Sequence, residues 1–430
     1  MTSQFLIGAA SSGSGKTTFT MGLLRALKNR GCCLQPFKSG PDYIDPLFHT
    51  QASGQESVNL DVWMSSPDHV RTLYATYGAG TDACVVEGVM GLFDGYARWE
   101  GSSGALAALL GIPVILLVNA RSAAYSVAPL ISGFAHFRPD VRVAGVVFNR
   151  VASASHFQHL KEACEDVGVD CFGYLPQSPD IQVPSRHLGL TLDARKKTEA
   201  QIALAAELIE HHVDIDRLLA ASLLPFPVCP PVPTVRGKLR VAVARDDAFN
   251  FIYRENLAQL QRLGEVSFFS PLRGDRLPSA DLVYLPGGYP ELFAPTLSAR
   301  RNTLNDLKDY AGQGGRLLAE CGGMMYLSRS ITDADGERSY PMAGVLPFDC
   351  TMAHARLHLG YRRLVIGDSE WRGHEFHYSD IVQPDTLPSI AGQFNGKGLP
   401  VDTSLYRIKN VIAGYTHLYW GDRNILELWN

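Results

Sequence analysis

At 430 residues the chain is longer than a single hydrophobic core usually supports, so two domains of about 200 residues are expected. With 46% hydrophobic and 19% charged residues it has an ordinary globular composition, and a formal net charge of −4 gives no basic field for nucleic acid. No apolar run is long enough to span a bilayer, and eight cysteines without a CxxC pair suggest reduced thiols, so a cytoplasmic protein is expected.

In chain order, residues 5–10, 83–87, 113–119 and 143–149 read as buried parallel strands. Residues 17–29 and 199–211 have helical apolar spacing, and the alternation is that of a doubly wound α/β domain. The first strand runs into Ala10-Ser11-Ser12-Gly13-Ser14-Gly15-Lys16-Thr17-Thr18, a Walker A arrangement with Ala10 at the usual first glycine. Gly13 and Gly15 let backbone N–H groups curl round phosphate oxygens at a helix amino terminus. Lys16 supplies a charge to the outer phosphates, and Thr17, with Thr18 beside it, supplies an oxygen for Mg²⁺. ATP is therefore the expected substrate and Mg²⁺ the expected cofactor. Ser11 stands where partitioning-type ATPases carry a second lysine, which argues against an ATP-driven dimer switch.

Lys38-Ser39-Gly40-Pro41-Asp42-Tyr43-Ile44-Asp45-Pro46 reads as a turn-rich segment rather than a buried strand. Glu87 closes an apolar strand and is followed by Gly88-Val89-Met90-Gly91-Leu92-Phe93-Asp94-Gly95. Ligands of open parallel sheets bind at the carboxyl ends of the strands, so Glu87 is expected to face the crevice of Lys16. Asp42, Glu87 and Asp94 are candidate Mg²⁺ ligands alongside Thr17. Asn149 suits a hydrogen bond to a nucleotide base or the capping of its strand.

Residues 223–233 hold five prolines and read as a semi-rigid linker, with domain boundaries at 1–222 and 238–430. A strand resumes at residue 238, and α/β alternation is expected to the end of the chain. Gly315 to Leu327 reads as strand, tight turn and helix with Cys321 in the turn, the cysteine version of a nucleophile elbow. A helix amino terminus is expected to lower the pKa of that thiol. Gly287 and Gly288, with Gly322 after the thiol, can present N–H groups to an oxyanion. His417, in a late strand spanning 411–420, is the candidate base. His354, His358, His374 and His377 match no standard zinc spacing and suit packing or substrate contacts.

Taken together, these segments resemble the cobyrinate (hydrogenobyrinate) a,c-diamide synthase family over nearly the whole chain. The resemblance rests on 12–18, 37–46, 86–95, Arg186-His187-Leu188-Gly189-Leu190, Glu320-Cys321-Gly322-Gly323 and 373–379, in the family's order. It implies an amino-terminal P-loop NTPase domain like dethiobiotin synthetase, fused to a flavodoxin-like class I glutamine amidotransferase. It also implies amidation of the a and c carboxylates of a corrin precursor in cobalamin biosynthesis, through an acyl phosphate and ammonia released from glutamine. By similarity Cys321 and His417 form the glutaminase pair, and no acid partner is recognisable. Lys38, Asp42, Tyr43, Ile44, Asp45, Glu87 and Asp94 match positions for carboxylate activation. The alternatives are the related nickel-sirohydrochlorin a,c-diamide synthase and a non-catalytic ATP-binding regulator. The implied partners are glutamine, ATP and a tetrapyrrole, with no nucleic acid and no membrane; homo-oligomerisation is left open.

Overall fold

A computed structural model of the chain describes residues 1–181, 192–228, 237–383 and 387–430. The Arg186–Leu190 motif and most of the proline-rich segment lie outside the described residues. The chain divides into two compact units, Met1–Pro231 and Val232–Asn430.

Unit 1 is built on seven parallel strands: β1 (Thr2–Ala9), β2 (Leu34–Ser39), β3 (Val58–Leu60), β4 (Ala83–Glu87), β5 (Val114–Asn119), β6 (Val143–Val151) and β7 (Cys171–Pro176). Their order is β3-β2-β4-β1-β5-β6-β7, and a short β8 (Leu223–Leu224) runs antiparallel beside β1. The connecting helices are α1 (Lys16–Asn29), α2 (Asp45–Ser53), α3 (Pro67–Gly78), α4 (Ser103–Leu110), α5 (Val127–His136) and α6 (Ala154–Val167), followed by α7 (Leu192–His212) and α8 (Ile215–Ala221). The central strands are apolar on both faces: Leu6, Val86 and Leu116 enter one core, and Phe5, Ile7, Val85 and Leu117 the other. Gly22 lets α1 approach α7, since a Cβ there would lie 2.9 Å from the Ala205 methyl. Leu223 to Phe226, counted with the linker in the sequence, pack on this unit; Phe226 stacks on Tyr74 at 5.9 Å. The chain progresses outward in opposite directions on the two sides of β1, so a crevice opens where β1, β2 and β4 end.

The segment from Lys38 departs from expectation. Lys38 and Ser39 are the last residues of the buried strand β2, and the turn begins only at Gly40. A lysine is tolerated at the end of a buried strand because two carboxylates neutralise it there.

The main sheet of unit 2 comprises β9 (Leu239–Ala244), β10 (Gly264–Phe269), β11 (Leu282–Leu285), β12 (Arg316–Glu320), β20 (Leu405–Ile408) and β21 (Val411–Gly414). Its order, β10-β9-β11-β12-β21, is the 2-1-3-4-5 order of flavodoxin-like sheets, with β20 antiparallel at the edge. Helices α9 (Arg254–Leu263), α10 (Ala294–Ala299), α11 (Arg301–Gly312) and α12 (Gly322–Leu327) connect it. The alternation does not continue to the end of the chain. After α12 come two small sheets. One orders β13 (Ser330–Thr332), β14 (Ser339–Pro341), β15 (Asp349–Thr351) and β18 (Asp380–Val382) as β14-β13-β15-β18. The other orders β16 (His358–Ile366), β17 (Ser369–His377), β19 (Gly392–Asn395) and β22 (His417–Tyr419) as β19-β16-β17-β22. The expected strand over 411–420 is thus two strands in two sheets, β21 and β22, because the chain turns between Gly414 and His417.

Candidate active site

In unit 1 the loop after β1 presents Gly13 and Gly15 with φ of 75° and 97°, left-handed conformations that glycine adopts without strain. Lys16 and Thr17 open α1. Lys16 Nζ donates to the Met90 carbonyl at 2.5 Å, on the loop after β4. Thr17 Oγ1 lies 2.9 Å from Glu87 Oε1 and 3.1 Å from Asp45 Oδ1, with one proton to share between them. Lys38 Nζ bridges the same acids, 2.7 Å from Asp45 Oδ2 and 3.2 Å from Glu87 Oε1, and donates to the Gly88 carbonyl. His49 Nε2 meets Glu87 Oε2 at 2.6 Å, and its Nδ1 meets Ser57 Oγ at 3.1 Å.

Charge explains how this cluster survives burial. Burial pushes the Glu87 carboxyl up, but Lys38 and the His49 hydrogen bond more than reverse this, leaving it well below the usual carboxylate range. Lys38 is held above the ordinary lysine value: burial opposes its charge, and Asp45, Glu87 and Asp42 outweigh that. Asp45 is pushed up by burial and by repulsion from Asp42 and Glu87. Lys16 is lowered by burial and by the Lys38 charge.

The other residues singled out in the sequence divide between this crevice and supporting roles. Asp42 Oδ1 accepts from the N–H groups of Ile44 and Asp45, so this carboxyl shapes the turn, and Asp45 meets Thr17 and Lys38. Tyr43 is buried and Ile44 half-buried. Asp94 Oδ2 accepts from Gly91 N–H and shapes the loop that carries Met90. Asn149 Nδ2 donates to the Ser14 carbonyl at 2.8 Å and its Oδ1 accepts from Arg150 N–H, so the side chain braces the phosphate loop. Any Cβ at position 15 would overlap the Asn149 amide. A cavity of about 30 Å³ opens there, lined by Gly15, Thr18, Asn149, Arg150, Pro176 and Gln177 among others.

In unit 2, Cys321 sits between β12 and α12 with φ 48°, ψ −108°. A non-glycine residue at positive φ marks a strained elbow that turns the side chain away from the strand. Its amide donates to the Gly414 carbonyl at 2.7 Å, at the end of β21, and Sγ lies 3.8 Å from the Phe376 carbonyl on β17. His417 begins β22, wholly buried, with its ring against Gly287, where any Cβ would overlap the imidazole. A Cβ on Gly322 would lie 3.1 Å from Gly288 N, so the two glycine segments adjoin beside the thiol. His374 faces His417 in register across β17 and β22 and stacks on it at 5.2 Å; its Nδ1 meets the Tyr253 hydroxyl at 2.8 Å.

The thiol does not have the lowered pKa expected of a helix amino terminus. Burial pushes the Cys321 thiol well above its usual value, and the nearby acids Glu291 and Glu375 add to this, outweighing the Gly322 N–H. His417 is pushed well down by burial and by His374. Burial thus favours the neutral thiol at Cys321 and the neutral imidazole at His417. Among the described residues no group of three His, Cys, Asp or Glu side chains is arranged to hold a metal ion. His358 and His377 stack at 4.6 Å, and His377 lies on Tyr415 at 3.6 Å. No helix among the described residues is long and apolar enough to cross a membrane.

Both architectures match known families. Residues 5–190 match the CobQ/CobB/MinD/ParA nucleotide binding domain, and residues 240–425 match the CobB/CobQ-like glutamine amidotransferase domain. The chain is 42% identical over 427 residues to a protein named hydrogenobyrinate a,c-diamide synthase from Brucella abortus biovar 1 (strain 9-941), covering 96% of this chain and 98% of that one. It is 42% identical to the protein of that name from Rhizobium meliloti (strain 1021), with the same coverage. It is also 39% identical to a cobyrinate a,c-diamide synthase from Salmonella typhimurium, covering 99% and 97% of the two chains. The chain belongs to the a,c-diamide synthase family. It is a ligase that uses ATP and takes its amide nitrogen from glutamine.

Within this family frame, the sequence left four buried groups unassigned: His49 on Glu87, Tyr253 on His374, and Glu320 and Asn256 beside the His417 strand. His374 carried a partial signal, as one of four clustered histidines. His49 carried none, because a histidine inside an amphipathic helix looks like any other packed side chain.

Proposed function

We propose that this chain amidates the a and c side-chain carboxylates of hydrogenobyrinate or cobyrinate, with ATP as activator and glutamine as nitrogen source. The observation that carries this reading is the presence, in one chain, of a phosphate crevice gathering Lys16, Lys38 and Glu87 and of an elbow thiol at Cys321. In unit 1 the substrate carboxylate attacks the γ-phosphorus, giving an acyl phosphate and ADP. Ammonia then displaces phosphate to leave the amide. Lys16 turns from the Met90 carbonyl to the phosphate oxygens, and Lys38 holds the charge that gathers on the transferred group. Thr17, Glu87 and Asp45 supply hard oxygens, and the crowding of acids that raises Asp45 is what a divalent cation relieves, so the residues fit Mg²⁺. When bound, Mg²⁺ would neutralise phosphate charge there.

In unit 2 the Cys321 sulfur attacks the carboxamide carbon of glutamine as its proton passes to His417 Nε2 or Nδ1. The tetrahedral oxyanion is held by N–H groups of Gly287, Gly288 or Gly322. His417 returns the proton to the departing ammonia, and water then cleaves the glutamyl thioester. Mass spectrometry after incubation with ATP, Mg²⁺ and glutamine tests the assignment. Two successive losses of about one mass unit, each OH becoming NH₂, are expected on hydrogenobyrinate or cobyrinate. Diamidation of nickel-sirohydrochlorin alone would overturn the assignment of the ring, and no mass change on any tetrapyrrole would overturn the function.

A further inference from the structure

The strand that carries His417 is gripped by side chains one residue beyond the imidazole. Leu418 faces Gly373 in β17, yet both of its backbone polar groups bond to side chains from elsewhere in unit 2. Glu320 Oε1 accepts from Leu418 N–H at 2.9 Å, and Asn256 Nδ2 donates to the Leu418 carbonyl at 2.8 Å. Asn256 Oδ1 also accepts from Trp420 N–H at 2.9 Å, which fixes the strand two residues further on. Both side chains are fully buried. Glu320 is the residue before the nucleophile, and its second oxygen accepts from the Tyr284 hydroxyl at 2.7 Å on the neighbouring strand β11. One carboxyl therefore ties the strand that delivers the thiol to the strand that delivers the base.

Cysteine–histidine sites depend on an imidazole held in a fixed orientation. We propose that Glu320 and Asn256 are positioning residues for His417, holding the main chain of Leu418 so that the imidazole stays over Gly287 at the thiol. This rests on the reading of Cys321 and His417 as the glutaminase pair. Neither residue touches the substrate; each acts through the strand. The need for such a hold is visible at β17, where Gly373 lies so close that any Cβ would overlap the His417 carbonyl. Among the described residues that strand pairs with β17 alone. Burial raises the Glu320 carboxyl to about 8, so near neutral pH it is an uncharged acid. In that neutral form its carbonyl oxygen still accepts from Leu418 N–H while its O–H donates back to the Tyr284 oxygen, an arrangement that a glutamine side chain reproduces with its N–H.

The test measures glutamate release from glutamine by the full-length chain with ATP and Mg²⁺ present. Glu320→Met orphans a buried N–H and is expected to lower kcat about 10- to 100-fold with KM within about threefold of wild type. Glu320→Gln, which keeps the acceptor, is expected to stay within about twofold of wild type. Asn256→Asp keeps the acceptor for Trp420 but loses the donor to Leu418, and is expected to lower kcat at little-changed KM. Three results overturn the proposal: a Glu320→Met enzyme with wild-type kcat, a Glu320→Gln enzyme as slow as Glu320→Met, or KM rising in step as kcat falls. If Glu320→Met does not fold, Glu320→Gln and Asn256→Asp decide on their own. His417→Ala is run alongside. Undiminished hydrolysis there defeats the underlying pair, whereas lost hydrolysis there with normal rates in Glu320→Met and Asn256→Asp defeats only the positioning role.

Discussion

Burial favours the neutral form of the buried groups at both sites, and in unit 1 neighbouring charges overcome it at Glu87 and Lys38. In unit 1 a lysine and two acids share one dry crevice, and the ion pair wins because Lys38 reaches both carboxylates. Lys38→Met leaves Glu87 buried without its cation, which is expected to destabilise unit 1 by about 3–5 kcal/mol in a denaturation experiment. In unit 2 burial and nearby acids hold the Cys321 thiol protonated, and burial and His374 hold His417 uncharged. Gly287→Ala would push a methyl into the imidazole, and a displacement on the order of 1 Å is expected to lower the rate of glutamine hydrolysis about 100-fold. Ammonia-driven amidation should be unchanged in that variant, and measuring both rates on one preparation checks it.

Among the elements, legibility from sequence follows how local each feature is. The phosphate loop and the cysteine elbow were readable because strand, turn and helix are contiguous in the chain. The α/β character of unit 2 is legible from apolar runs alternating with helical segments, and its flavodoxin-like fold only from the family resemblance. The hairpin of β16 and β17 and the jump from β21 to β22 were not readable. A single apolar stretch from Val411 to Trp420 gives no sign that it changes sheets at Thr416. The supporting residues were hidden for the same reason: Glu320 and Leu418 are 98 positions apart, Asn256 and Leu418 162, and His49 and Glu87 38. Lys38 reads as a turn residue in the sequence because a charged side chain argues against a buried strand until its partners are known. The spacing of β17 and β22 gives its own prediction. Gly373→Ala sets a methyl against a backbone carbonyl, which cannot rotate away, and is expected to destabilise unit 2 by about 1–3 kcal/mol in thermal unfolding.

For the whole molecule, two chemistries in one chain should be separable by a single substitution. Cys321→Ala is expected to abolish amidation with glutamine and to leave amidation with ammonium salts near the wild-type rate; equal loss with both donors would refute the division of labour. Stability should also respond to pH in a way traceable to named groups. Glu87 is depressed in the folded state, so its contribution is present above the ordinary carboxylate range and is lost as pH falls through its folded value. Glu320 has the opposite sign. Its folded value is raised from 4.5 to about 8, so its contribution is complete below the lower figure and is lost as pH rises through the upper one. Thermal unfolding of wild type and Glu320→Gln between those values should therefore diverge as pH rises, by roughly a few kcal/mol, with the wild type falling behind.

The resting thiol has one more consequence, for survival in oxidising surroundings. Peroxides attack the thiolate form of cysteine, and a sulfur that stays protonated behind protein walls is a slow target. Cys321 should therefore outlast the half-exposed and exposed Cys32 and Cys33 when the protein is treated with hydrogen peroxide, and glutaminase activity should persist after those surface sulfurs have been converted to sulfenic or higher acids.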